Sequence, residues 1–577
     1  MSGRLWLCLG GSALASLMAC GPARTDGVSV PSPAETAFTQ ITTDILQDYF
    51  RRNPTAATEL GVHLYDSRLE DFSSAAVEDE LATTRAFLTR LEGINERWLP
   101  PDRQIDREWL MHVLQASILQ LDVIRPWARD PDVYSSGLTS AAYVMIKRNF
   151  APPERRMAAL TARMRRMPAA LAEVRRNLSH PPRVYTEIAI DQLDGNRDFF
   201  DTAVVDAFAG VTDAALRAEF DRARKDVMSA LADYKQWLQS DLLPQSDGAF
   251  AYGAETYRKR LWAEEMIDTP LDQLLAEAEA DLRKNQAAFA EAARRIDPSK
   301  SPAAVLADVE RRHPPAEALL STTQAELDAI AAFVRDHHIV TVPDAPPARV
   351  EETPPFLRAT TTASMDMPGP FETQAQAAEA YYNMTLPDPA WPKADQDAFM
   401  AQWYEPAIAN VSVHEVWPGH YLQFLYAKDL SSDIRRVFGA ASNREGWAHY
   451  VEQMMIDEGF HAGDPRYRLA QLQDALLRDV RFIVGIRMHT AGMTLEEAQA
   501  MFERDAYQSA PVARAETRRG TSDATYGYYT MGKLAILKLR DDAKTRLGAA
   551  FSLQAFHDAF IRVGPLPIPL VRRVMMR

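Results

Sequence analysis

The chain has 577 residues, of which 47% are hydrophobic and 25% charged. That length and balance suffice for a sizeable core, arranged as several domains of roughly 100–200 residues or as one large helical body. A net charge of −15 repels phosphate backbones and argues against nucleic acid as a partner.

The first twenty residues, MSGRLWLCLGGSALASLMAC, carry one positive charge, Arg4, and an apolar run that closes on LMAC. They read as a secretory signal over 1–19 rather than a spanning helix. Leu17 and Ala19 ahead of Cys20 resemble the lipobox of bacterial lipoproteins, which implies cleavage before Cys20 and a lipid on its thiol. Gly21 follows the cysteine in place of aspartate. By the Gram-negative sorting pattern this favours the outer membrane, so the expected location is the cell envelope, facing the periplasm. The other cysteine, Cys8, leaves with the signal, and the loss of Arg4 takes the charge from −15 to about −16. A mature body without thiols excludes cysteine nucleophiles, thiolate metal sites and disulfide scaffolds, so any metal must be held by His, Asp and Glu. No later apolar run approaches the roughly 20 residues of a spanning helix. The lipid is therefore the only expected membrane attachment.

Residues 20–34 read as the lipidated cysteine and a flexible tether. From 35 to 341 the pattern is helical. In TPLDQLLAEAEADLRKNQAAFAEAARRI, 269–296, Thr269 is placed to cap, Pro270 fits the first helical position, and Asp272 lies three residues after the cap. Leu271, Leu274, Leu275 and Ala278 follow as an apolar stripe. In 154–178, Pro168 marks a kink or break. The proline-rich stretch 342–356 separates this N-terminal helical region from a C-terminal region, 342–577. Beside it, HIVTV at 338–342 and LRATTTASM at 357–365 are rich in β-branched residues and read as strands of a small sheet. The edge of that sheet could receive an extended chain. Helical patterning resumes near 398.

The chemistry concentrates in SVHEVWPGHYLQFLYA, 412–427. His414 and His420 are six residues apart, which on an ideal helix points them to different faces. Pro418, however, has no N–H for the carbonyl of His414 and its ring clashes with that carbonyl. Gly419 tolerates backbone angles closed to other residues. A two-residue bulge at Pro–Gly leaves an effective spacing of four, which returns both histidines to one face. That is the logic of the HExxH zinc helix, with Glu415 in the place of the general base.

A third ligand is available 25 residues on. NREGWAHYVEQMMIDEG, 443–459, reads as a helix whose apolar face is Trp447, Tyr450, Val451, Met454 and Met455. A helix–turn–helix of that length can bring Glu445 beside the histidines. Two His and one carboxylate, with a position open to water, is a catalytic zinc arrangement. His449 and Glu452 share the face of Glu445, and either could be the third ligand or a partner behind it.

HEVWPGHYLQ followed by REGWAHYVEQMM resembles the bacterial family catalogued as domain of unknown function 885, whose pattern is approximately HExxPGHxxQ and then EGWAxYxE. RRMPAALAEVRRNL with PPRVYTEIAIDQLDG (165–195) and GAETYRKRL (253–261) resemble it too. The resemblance implies a mainly α, multi-helix, bowl-shaped, gluzincin-like metallopeptidase body with a small β-element near the active cleft. It implies His414, His420 and Glu445 as ligands of one zinc ion, and Glu415 as general base. LRDVRFIVGIRMHTAGMTLEEAQAMF (477–502) resembles the family's next helix, with Arg481 and His489 at matching places. The family commonly has aspartate where Gly485 stands. RAETRRGTSDATYGYYTMGKLAIL (514–537) resembles a segment ending Y-x-x-G-K that lands on Tyr529, but the usual Pro-x-Gln is Asp523, Ala524 and Thr525 here.

Hydrolysis needs an oxyanion donor, for which Tyr529, Tyr526 and His489 are candidates. Arg481, Arg518 and Arg519 are candidates to clamp a terminal carboxylate. The expectation is a lipid-anchored zinc hydrolase of peptides or small amides. Two other readings stand beside it: a hydrolase of some other amide or ester, and a catalytically silent lipoprotein that binds or scaffolds. The sequence does not decide the oligomeric state.

Overall fold

A computed structural model describes residues 31–353, 361–374 and 378–577. The signal, Cys20 and most of the tether lie outside the described residues, as does 357–360 of the second expected strand. The tether ends slightly early. Ser32 accepts from the Glu35 N–H at 3.1 Å and donates its own N–H to the Glu35 carboxylate at 2.8 Å, so a capping box starts the first helix at Pro33. Pro168 falls just after a break between helices Pro153–Met164 and Met167–Asn177, in the first turn of the second, where a proline's missing N–H costs nothing.

The helix expected at 269 begins at Leu271, as α1 (Leu271–Ile296). Pro270 takes the cap position and Thr269 makes no capping bond. Leu274, Ala278, Leu282 and Phe289 are its buried stripe. Among the helices of the C-terminal region, six position the site: α2 (Glu405–Glu415), α3 (His420–Ala427), α4 (Ala441–Asp457), α5 (Pro465–Thr490), α6 (Ala510–Ser522) and α7 (Tyr528–Leu547). α1 lies along α5, and α4 along α7. The second pair crosses at two glycines: a Cβ on Gly446 would lie 2.5 Å from the Cα of Gly532, so neither position has room for a side chain.

Apolar residues gather into three cores. One, around Tyr134, Leu160, Leu193 and Leu231, belongs to the N-terminal helices alone. A second packs α1 on α5 through Leu282, Phe289, Leu476 and Ile483. The largest joins Phe38, Leu110 and Ile330 to Val413, Trp447 and Phe560, from both sides of position 342.

The small sheet holds β1 (Arg349–Glu352), β2 (Ala363–Asp366) and β3 (Tyr381–Met384) in the order β1-β3-β2. β1 runs parallel to β3 and β2 antiparallel, with Val350 and Met365 both opposite Tyr382. HIVTV is not a strand. Ile339 and Val340 are buried in an irregular segment held by His557, whose Nδ1 meets the Ile339 carbonyl at 2.6 Å. Ile339 and Val340 serve burial, not pairing.

Candidate metal centre

The two histidines meet, though not through the expected bulge. α2 stops at Glu415 and α3 starts at His420, leaving a four-residue break, Val416–Gly419, with a cis bond between Trp417 and Pro418. The chain folds tightly enough that a Cβ on Gly419 would lie 1.8 Å from the His414 carbonyl oxygen; only glycine fits there. Trp447 of α4 donates its indole N–H to the Pro418 carbonyl at 2.8 Å. The imidazoles end 4.8 Å apart between centroids, with ring planes at 87°.

Glu445, near the start of α4, completes the set. Its Oε2 lies 3.4 Å from Nε2 of His414 and 3.5 Å from Nε2 of His420, and the three ligand atoms lie within 4.8 Å of one another. Nitrogen and oxygen ligands about 2.1 Å from a tetrahedral zinc stand about 3.4 Å apart. The carboxylate therefore already sits at coordinating separation from both imidazoles. Burial would raise its pKa, but His420 and His414 hold it well below the usual carboxylate range.

Glu452 and His449 take places behind this set. Glu452 is completely buried and meets Nδ1 of His414 at 2.6 Å, Nδ1 of His449 at 3.1 Å and an Arg478 guanidinium nitrogen at 3.1 Å. A carboxylate only accepts, so His414 donates through Nδ1 and presents Nε2 to the cluster, the usual way a metal-binding imidazole is oriented. Burial depresses Glu452's neighbour His449 to about 3, and it stays neutral. Glu452→Gln is expected to weaken metal binding about 10- to 100-fold without dismantling the centre, measured by competition with a chelator; unchanged affinity would deny Glu452 this role.

Glu415 is half-buried and lies beside the sheet, where its Oε2 accepts the Met365 N–H at 3.1 Å. Tyr529 is close as well: its ring centroid is 6.4 Å from that of His414, and the guanidinium carbons of Arg478 and Arg481 lie 5.4 and 5.1 Å from its ring centre. Burial raises the Tyr529 pKa, so the phenol keeps its proton.

The expected arginines are committed to partners within the protein, although Arg481 and Arg519 both stay beside Tyr529. Arg481 makes two 2.7 Å bonds to Glu516. Arg519 pairs with Asp523 at 3.0 Å and Arg518 with Asp191 at 2.9 Å. Each is answered by a carboxylate of the protein itself. Tyr526 is fully buried in the α1–α5 core, with no partner for its hydroxyl among the described residues, and does not face the cluster. His489 sits against Phe250 and Tyr252 with Nε2 2.8 Å from the Gly520 carbonyl, and burial lowers it to about 4. It packs behind the site.

The two departures in the sequence touch each other. A Cβ on Gly485 would lie 2.7 Å from the Ala524 carbonyl oxygen and 3.2 Å from the Tyr526 ring. An aspartate at 485 would collide with the segment that carries Asp523, Ala524 and Thr525, so the two changes form one local rearrangement. Arg478 and Tyr528 are residues the sequence reading missed. Tyr528 lies 3.1 Å from Asp523 and 3.2 Å from Arg519 through its hydroxyl.

No curated protein matches the chain. Solved structures similar to it include the following two. One, described as a candidate lipoprotein of unknown function from Shewanella oneidensis, is 26% identical with a TM-score of 0.79, over 94% of this chain and 100% of that one. The other, described as a candidate lipoprotein from Colwellia psychrerythraea, is 18% identical with a TM-score of 0.81, over 94% and 98%, and shows the fold alone. No helix among the described residues is long and apolar enough to cross a membrane. The family described as bacterial protein of unknown function, DUF885, matches residues 54–575, and the chain belongs to it.

Proposed function

We propose that the protein is a zinc-dependent hydrolase, a peptidase in particular, with His414, His420 and Glu445 as metal ligands in a gluzincin-like arrangement. The observation that carries the reading is the carboxylate 3.4 and 3.5 Å from two imidazole nitrogens, with a further carboxylate, Glu415, directly after the first ligand. A bound divalent cation supplies Lewis-acid chemistry, activation of water and polarisation of a carbonyl. The donor set of two imidazoles and a carboxylate suits zinc.

The chain's own residues do the rest. Glu415 takes a proton from water as it adds to the scissile carbonyl and returns it to the leaving amine. Tyr529, protonated and beside His414, donates to the developing oxyanion. β2 lies at an edge of the sheet, and Ala363 and Met365 alternate with the residues bonded to β3, so their backbone groups face outward. Met365 already meets Glu415. An extended substrate added along that edge lies across the general base. The likeness to the candidate lipoprotein from Shewanella oneidensis and the motif at Cys20 support an envelope protein, lipid-anchored to the outer membrane and facing the periplasm.

The test needs wild-type protein only. After gentle dialysis it is expected to hold one zinc per chain, and a peptide library incubated with it is expected to show cuts by mass spectrometry. Protein without metal, or a library left whole, overturns the reading.

A further inference from the structure

A cavity of about 420 Å³ opens beside the metal centre, with His420 in its lining. Met365, Met367, Phe424 and Ile561 give it apolar walls, and three cations reach it: Lys147, Arg436 and Arg444. Two of these are answered, Lys147 by Asp366 at 2.8 Å and Arg436 by Asp433 at 3.1 Å. Arg444 has no such partner among the described residues. The acid next to it in sequence, Glu445, is turned to His414 and His420 instead.

The position of Arg444 is built, not incidental. Its side chain is exposed to solvent within the cavity. Gly439 leaves it room: a Cβ there would lie 2.7 Å from Nε and Nη2 of the guanidinium. A guanidinium with no carboxylate partner keeps its charge available to an anion that enters the cavity, whose lining holds one carboxylate of its own, Glu59. The planar fork of arginine matches a carboxylate with two parallel hydrogen bonds.

We propose that Arg444 receives a carboxylate of the substrate in this cavity, so that the site selects peptides with an anionic group on the cavity side of the scissile bond. This deepens the peptidase reading and rests on it for the word substrate. Two sources share the chemistry: a free C-terminus, and the side chain of Asp or Glu.

Three probes separate the sources by calorimetry on zinc-loaded protein: N-acetyl-phenylalanine, its carboxamide, and the α-amide of N-acetyl-aspartate. On wild type, one of the two carboxylates is expected to bind about 10- to 100-fold more tightly than the carboxamide, the range of one charge-assisted contact. The tighter probe names the source. Arg444→Met is expected to bring that ratio close to one with zinc content unchanged, and Arg444→Glu, a second variant at a solvent-reached position, to do the same or invert it. A ratio near one on wild type overturns the proposal. So does a ratio that survives both variants, since the carboxylate then goes to the metal. Binding is read without turnover, so an uncut peptide library would overturn the peptidase reading while this measurement still decides the role of Arg444.

Discussion

Glu415→Gln is expected to keep one zinc per chain and to lower kcat about 10³- to 10⁴-fold, the upper range for removing a general base. The substitution isolates one function. Glu415 stands outside the three-residue cluster, so coordination does not depend on it. Its recorded bond is accepted from the Met365 N–H at 3.1 Å, and the amide oxygen of glutamine accepts the same bond. What glutamine cannot do is take up a proton and hand it to the leaving amine. Metal analysis and steady-state kinetics on one preparation separate the outcomes. Turnover within tenfold of wild type would remove Glu415 from the reaction, while loss of zinc would make it a ligand.

Glu445→Gln is the complementary experiment, with the larger effect on the metal. It removes the only carboxylate of the cluster and is expected to weaken zinc binding by more than the about 100-fold that a partner behind a ligand can cost, taking activity with it. The pH dependence of binding supplies a second reading. In the metal-free protein burial pulls His414 down, but hydrogen bonds with Glu445 and Glu452 override it and raise it to about 9. At pH 7 a proton therefore occupies the coordinating edge and must leave as the metal enters. Zinc affinity is expected to rise with pH toward 9 in wild type. The rise should be shallower in Glu445→Gln, which no longer holds that proton. Equal affinity and equal slope in the two proteins would mean that Glu445 is no ligand.

Much of this centre was legible in the sequence because its parts are local. Pro418 rules out a continuous helix through His414, and a site with both histidines requires some interruption there. The form of the interruption was less legible: a bulge conserves helix, whereas the protein ends one helix and starts another. The choice among Glu445, His449 and Glu452 could not be read from spacing, since all three share a helix face. Seven residues along a helix is about 10.5 Å, and the imidazole of His414 spans that gap, meeting Glu445 at one nitrogen and Glu452 at the other. The remaining errors are long-range. Arg478 reaches Glu452 from a different helix, and no local pattern announces it. Tyr526 sits in the turn before α7 and not on it, so its three-residue spacing from Tyr529 does not put both on one face. His489 is eight residues beyond Arg481, two turns further along α5, and that distance carries it behind the site.

The glycine crossing of α4 and α7 has a mechanical consequence. Glu445 is one residue before Gly446, and Tyr529 is three before Gly532. The Glu445 carboxylate and the Tyr529 phenol thus hang from the point where two backbones touch, with no compressible side chain between them. Sway of either rod elsewhere pivots about this fulcrum and displaces its far ends most. The separation between the Glu445 carboxylate and the Tyr529 phenol is gauged by bare main chain, the stiffest spacer a protein can use.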